Sequence, residues 1–279
     1  MSTRSTRVLA AVAALVVVVI AAFIGGRLLW NKATKTFVVE QCTIGGYSLS
    51  TDQAVVAAQM VGEASRYRPA LPERAAVLVL AAALQESKLT NLGPGDGDRD
   101  SVGVLQQRPS QGWGRPPGNA ASLNDVTEAT REFLHRLVTG VPHWQKLDLA
   151  QAVQAVQISA DGSLYAQHEQ EAQALADALQ GHRAAGITCT FQAPTLVAKP
   201  AEVVSQLRAQ LPVNRPTVSG RTISVPGAAW QTAAWFVANA DRLGIDSVAY
   251  AGREWSRANG WHHAPTTEAE VTATLAVLH

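Results

Sequence analysis

The longest hydrophobic run in the chain lies near the N-terminus, where residues 8–24 are all apolar. No charge follows before Arg27, and a helix over this stretch measures about 28 Å, close to the thickness of a bilayer core. Two arginines precede the run and no small-residue cleavage site closes it, which is typical of an uncleaved signal anchor. The pattern therefore predicts a single transmembrane helix within residues 1–39.

The stretch from residue 40 to 190 is rich in Ala, Gln, Leu and Glu, which favour helices. No internal proline interrupts the predicted helices, which lie at 51–66, 72–88, 124–138, 149–159 and 165–179. We predict no strand in this part of the chain and interpret it as one helical domain.

Proline spacing marks a boundary after this domain. Five prolines fall between residues 194 and 226, so no continuous helix fits there and residues 191–226 are interpreted as a linker. A small α/β module over residues 227–279 follows, with predicted elements at 230–243, 247–250 and 271–278. The expected fold class is mainly α, with one transmembrane helix, a helical domain and the small C-terminal module.

The distribution of charge and the number of hydrophobic spans each argue against one class of protein. The chain has 23 Lys and Arg and 22 Asp and Glu, but five of the cations and none of the acids lie in the first 35 residues. The remaining body is therefore mildly acidic and has no basic run interleaved with aromatics, which argues against nucleic-acid binding. A single hydrophobic span also argues against a channel or transporter.

Cys42 and Cys189 are the only cysteines and bracket the helical domain. No second cysteine or nearby histidine completes a metal-ligand spacing, so we expect a disulfide, the alternative being two unrelated buried thiols. A disulfide requires an oxidising compartment, which would place the body from about residue 40 onward outside the cytoplasm. We expect neither a metal site nor a cofactor.

Glu86 follows the most apolar of the predicted helices. Residues 75–84 consist only of Ala, Val and Leu, so this helix is expected to run through the centre of its domain. A carboxyl group leaving such a helix is partly desolvated, which raises its pKa as a general acid near neutral pH requires. The alternative is an ordinary solvated glutamate at a helix end.

Glu86-Ser87 is followed by a Gly- and Asp-rich loop and then by Gly103-Val104-Leu105-Gln106. With a looser block at 155–159 and Tyr165, these segments resemble the lysozyme-like superfamily, in particular lytic transglycosylases and goose-type lysozymes. The resemblance covers about residues 48–182. It implies a helical lysozyme-like fold, Glu86 as the catalytic group and peptidoglycan glycan strands as the substrate.

The same resemblance implies roles for individual residues. Glu86 would protonate the oxygen between N-acetylmuramic acid and N-acetylglucosamine. Hydrolysis would also need a second carboxylate, for which Asp98 is the candidate, whereas a lytic transglycosylase needs none; both reactions stay open. The aspartates at 96, 98 and 100 are equally compatible with a solvated turn. The candidate substrate-binding residues are Ser87, Gln106, Gln107, Trp113, Gln157 and Tyr165.

Two functions follow from these observations. The first is a membrane-anchored, cell-wall-facing enzyme that cleaves glycan strands with Glu86. The second is a non-catalytic peptidoglycan-binding or scaffold protein of a cell-envelope assembly, because the third block departs from the family pattern and no second carboxylate is assured.

Overall fold

The computed structural model describes residues 19–27, 39–266 and 269–278. The chain divides into two compact units, Met1–Val39 and Glu40–His279. The second unit contains both the predicted helical domain and the predicted C-terminal module.

The first unit contains helix α1, described over residues 19–27. No helix among the described residues is long and apolar enough to cross a membrane. This finding corrects the predicted transmembrane helix, which rested on the hydrophobic run and its flanking residues. The rest of the predicted segment, residues 1–18 and 28–38, lies outside the described residues.

The second unit mixes helices and strands. Its helices are α2 (Thr51–Arg66), α3 (Arg74–Ser87), α4 (Ala120–Leu123), α5 (Val126–Gly140), α6 (Leu149–Gln157), α7 (Glu169–Leu179), α8 (Pro200–Gln210), α9 (Trp230–Ala238) and α10 (Ala240–Leu243). Short 3-10 helices lie at Pro109–Gln111, Trp144–Lys146 and Gly162–His168. Its strands are β1 (Gln41–Ile44), β2 (Tyr47–Leu49), β3 (Ile187–Thr190), β4 (Thr217–Ser219), β5 (Thr222–Pro226), β6 (Ile245–Tyr250), β7 (Arg253–Ser256), β8 (Gly260–His263) and β9 (Glu270–Leu275).

The prediction of a mainly α fold is wrong, because about 47% of the structure is helical and 17% lies in strands of two antiparallel sheets. The helices between the cysteines lie close to their predicted positions, and α2 has the predicted bounds. The error comes from strands of three to six residues, which are too short to show a clear alternation of apolar and polar positions.

The smaller sheet joins the two ends of the helical region in the order β2-β1-β3. Cys42 on β1 lies directly opposite Cys189 on β3, and the two form a disulfide. This confirms the predicted pairing. The prediction that this part of the chain has no strand is wrong, since the disulfide itself lies between two strands.

The larger sheet has the order β4-β5-β9-β6-β7-β8, with every neighbouring pair antiparallel. Segment 191–226, predicted as a linker, contains α8, β4 and β5. Pro200 occupies the first turn of α8, where its missing N–H is not needed for helical hydrogen bonding. Proline spacing excluded one long helix there but not this combination of shorter elements.

Two helices form the centre of the second unit. All ten residues 75–84 of α3 are buried, which confirms the position expected from their composition. Helix α9 is buried from Thr232 to Ala238 and packs against α2, α7, β3 and β6. Gln231 also donates a hydrogen bond to Ser65 Oγ on α2 at 2.7 Å. The helical region and the larger sheet therefore share one core.

Candidate active site

A cleft of about 400 Å³ lies at the C-terminal end of α3. It is lined by Glu86, Asp98, Arg99, Ser101, Gln106, Gln107, Arg108, Gln111, Trp113, Gln157, Ile158, Ser159 and Ala160. Six of the candidate site residues share this lining. The other two do not line it: Tyr165 donates a hydrogen bond to Glu86 of the lining, and Ser87 donates to the carbonyl of Val104, outside the lining.

The backbone turns sharply just after the Glu86-Ser87 pair. Lys88 and Leu89 both have positive φ angles, 54° and 60°, which non-glycine residues seldom adopt. The N–H of Leu89 donates to the Ala83 carbonyl at 3.1 Å, so this turn also satisfies a free carbonyl in the last turn of α3. The helix therefore ends with Glu86 in its last turn, at the wall of the cleft.

The Glu86 carboxyl group is half-buried and hydrogen-bonded. The hydroxyl of Tyr165 donates to Glu86 Oε1 at 2.5 Å. Burial raises the pKa of Glu86, and this outweighs the lowering caused by hydrogen bonds from Tyr165 and Gln157. The raised pKa confirms the direction predicted for a carboxyl group that leaves an apolar helix.

Tyr165 is completely buried and remains a donor to Glu86. Its own pKa is raised, first by burial and then by the hydrogen bond to Glu86, so the phenol keeps its proton. A hydrogen bond beside the cleft thus joins Glu86 to Tyr165, which lie 79 positions apart in the sequence.

Replacing Tyr165 with phenylalanine is expected to raise the pKa of Glu86 further. The substitution keeps the apolar ring that buries the carboxyl group and removes the donor that stabilises its charged form. The titration can be followed by 13C NMR of protein labelled at glutamate side chains. Tyr47→Phe, on β2, is the control and should leave the Glu86 midpoint unchanged. An unchanged or lower midpoint in Tyr165→Phe would contradict the assigned role of the phenol.

Ser87 connects α3 to the Gly103–Gln106 segment. Its hydroxyl donates to the Val104 carbonyl at 2.7 Å. Gly103 has a φ of +77°, and a Cβ atom there would lie 2.0 Å from the Leu123 carbonyl oxygen, so only glycine fits. These two constraints place the side chain of Gln106 on the cleft wall, where its Nε2 donates to the Gly103 carbonyl at 2.9 Å.

Two glutamine side chains of the cleft lining have an unpaired carbonyl oxygen. Gln107 Nε2 donates to the Ala129 carbonyl at 3.3 Å, and Gln157 Nε2 donates to the Leu105 carbonyl at 2.9 Å. The Oε1 atoms of Gln107 and Gln157 are buried and have no hydrogen-bond partner among the described residues. Because buried acceptors are almost always paired, these two oxygens are unusual among the polar atoms of the lining.

The loop aspartates differ in their environments. Asp98 lines the cleft with 87% of its side chain exposed, and Arg99 Nε lies 3.7 Å from its Oδ2. Hydrogen bonds from Ser110, and then from Arg108, hold the pKa of Asp100 well below its usual range. Asp96 accepts a bond from the Gly93 N–H at 3.0 Å. Of the three aspartates, only Asp98 is in the cleft lining.

One wall of the cleft includes Trp113, whose ring is buried against the Arg136 guanidinium, 3.6 Å from the ring centroid. Ile158 belongs to the block at 155–159 but is not among the candidate site residues; it lines the cleft with 79% of its surface exposed and a φ of 53°. A β-branched residue in this conformation is unusual. The sequence does not indicate this conformation, because Ile158 lies within a segment predicted as continuous helix.

Two comparisons with known proteins found no match. No protein-family model matches the chain, and no curated protein matches it. Among the described residues, no group of three or more His, Cys, Asp or Glu side chains is arranged to hold a metal ion.

Proposed function

We propose that this protein cleaves the glycan strand of peptidoglycan with Glu86 as general acid. The observation that carries the proposal is the half-buried Glu86 carboxyl group, which has a raised pKa and lines a cleft. A general acid must keep its proton near neutral pH and reach the oxygen of the leaving group. Burial shifts the pKa of Glu86 in the direction that the first condition requires, and its position on the cleft wall supports the second.

The chemistry of the cleft supports an N-acetyl sugar as ligand. Its lining contains several uncharged polar side chains, including the unpaired carbonyl oxygens of Gln107 and Gln157. Amide side chains of this kind can donate to and accept from the acetamido groups and hydroxyls of a sugar. The resemblance of Glu86-Ser87 and of the Gly103–Gln106 segment to lytic transglycosylases and goose-type lysozymes supports the same substrate.

The proposed reaction starts with transfer of the Glu86 proton to the glycosidic oxygen as the bond from that oxygen to C1 breaks. The muramic residue then carries positive charge at C1 and the ring oxygen. In one route a water molecule attacks C1 and gives one proton to the Asp98 carboxylate, which leaves a hydroxyl on C1 and a reducing end. In the other, the C6 hydroxyl attacks C1 and the Glu86 carboxylate takes the hydroxyl proton, which gives a 1,6-anhydro sugar.

The disulfide supports a wall-facing location for the second unit. Such bonds persist in oxidising compartments, so residues from about 40 onward are proposed to lie outside the cytoplasm. Peptidoglycan is accessible from that side of the membrane.

The proposal is tested by incubating the full chain with purified peptidoglycan and analysing the soluble products by mass spectrometry. We expect muropeptides to be released, with anhydro-muramyl ends for the intramolecular route and reducing ends for hydrolysis. A chain that sediments with the wall but releases nothing would overturn the proposed activity and favour the binding or scaffold function.

A further inference from the structure

A second cleft of about 400 Å³ contains an unusual concentration of arginine. Its lining includes Arg66, Arg68, Arg115, Arg131, Glu63 and His135. We call it the arginine cleft. The arginines come from the end of α2, the loop before α4, and α5, so no cluster is visible in the linear sequence.

Two buried carboxylates hold the arginines in place. Glu63, 4% exposed, accepts a bond from Arg131 Nε at 2.7 Å, and its second oxygen lies 3.5 Å from Arg66 Nη1. The buried Glu132 accepts from Arg115 Nε at 2.8 Å. The guanidinium groups are thus fixed before any ligand arrives, which lowers the entropic cost of binding.

Several donors of these arginines remain unused. Arg115 bonds to Glu132 through Nε, and its two terminal nitrogens have no partner among the described residues. Arg68 donates only to backbone carbonyls, those of residues 65, 66 and 67, at 3.4, 3.1 and 2.9 Å. Within the described part of the chain, Arg68 has no carboxylate partner.

The cleft carries a positive charge on a mildly acidic body. Three carboxylates, those of Glu63, Glu128 and Glu132, pair with four arginines: three from the cleft lining and Arg136, which lies outside it. Arg68 adds one more guanidinium to the lining without a carboxylate partner among the described residues. The excess of guanidinium groups gives the cleft lining a net positive charge, which favours an anionic ligand.

We propose that the arginine cleft binds phosphoryl groups. A tetrahedral phosphoryl group directs its oxygens away from a single plane and carries up to two negative charges, so it can accept from guanidinium groups that approach from different directions. The free donors of Arg68 and Arg115 lie on different segments, which suits the tetrahedral anion. The ligand is either free phosphate or a phosphate ester, since the chemistry recognised is the same.

The proposal is tested by isothermal titration of the full chain with inorganic phosphate, glycerol 3-phosphate and acetate at matched ionic strength. We expect saturable binding of the two phosphoryl probes, weakened about tenfold in Arg68→Gln through loss of a charge-assisted hydrogen bond. Arg183→Gln is the matched control, because Arg183 is also exposed and its Nη1 donates to a backbone carbonyl, that of Gly45, at 3.1 Å. Its affinity should equal that of the wild type.

The outcomes separate the alternatives. Tighter binding of glycerol 3-phosphate than of phosphate identifies an ester as the ligand, and equal binding identifies free phosphate; both support the phosphoryl assignment. Acetate binding as tightly as phosphate would overturn it, as would the absence of saturable binding or equal affinities in Arg68→Gln and Arg183→Gln. If Arg68→Gln fails to fold, Arg115→Gln provides the same comparison, because the terminal nitrogens of Arg115 are the other free donors.

Discussion

Glu86→Gln is expected to lower the rate of muropeptide release by about a thousandfold, the middle of the range for loss of general acid catalysis. Glutamine keeps the size of the side chain and can still accept the Tyr165 hydrogen bond, but it has no proton of suitable acidity to give to the glycosidic oxygen. The measurement is the initial rate of release from purified peptidoglycan, with equal amounts of full-length wild type and variant.

The same substitution is expected to leave the fold as stable as the wild type or more stable near pH 7.5. The pKa of Glu86 is raised in the folded state, so the folded protein binds this proton more tightly than the unfolded chain. Stability from this proton is present below the ordinary pKa and is lost as the pH rises through the raised one. Glutamine does not titrate, so the variant does not lose this stability. The Tm of the variant minus that of the wild type should therefore increase between pH 4 and pH 7.5.

Glu169→Gln provides the matched control, since it makes the same chemical change at an exposed position on α7. It should retain wild-type cleavage. Undiminished cleavage by Glu86→Gln would rule out Glu86 as the general acid. A large fall in its Tm would instead show that Glu86 supports the fold, and the loss of rate would then carry no catalytic meaning.

Local composition was sufficient to predict α3 and the environment of Glu86. An uninterrupted run of Ala, Val and Leu is soluble only when buried on all faces, and a carboxyl group at its end is desolvated with it. The disulfide could also be predicted from the sequence, because two cysteines allow only one intramolecular pairing. In both cases a short stretch of sequence, or a pair of residues, contains the whole physical argument.

The features that the sequence did not reveal depend on contacts between distant segments. Tyr165 reaches Glu86 across 79 residues, and Arg115 and Arg131 meet Arg66 only after α2 and α5 pack together. Strands such as β4 and β5 are stabilised by cross-strand pairing, so their own residues show little pattern. Composition also predicted a linker where packing forms a helix and two strands.

Replacing both Cys42 and Cys189 with alanine is expected to lower the free energy of unfolding by about 5 kcal/mol, because opening so long a loop returns conformational entropy to the unfolded chain. The bond joins residues separated by 147 positions and lies in the sheet that closes the helical region. Without it the unfolded chain gains conformational freedom, while the cross-strand pairing of β1 with β3 remains. Urea unfolding of the full chain, followed by tryptophan fluorescence, measures the difference.

Reduced wild type is the control for this prediction, because it loses the bond without losing the sulfur atoms. Its midpoint in urea should fall close to that of the double variant, and oxidised wild type should unfold at a higher urea concentration. Below the variant's unfolding temperature, cleavage of peptidoglycan should persist, since neither cysteine lines the cleft around Glu86. Equal stabilities for oxidised wild type and the double variant would mean that strand pairing and the shared core alone hold the two ends of the helical region together.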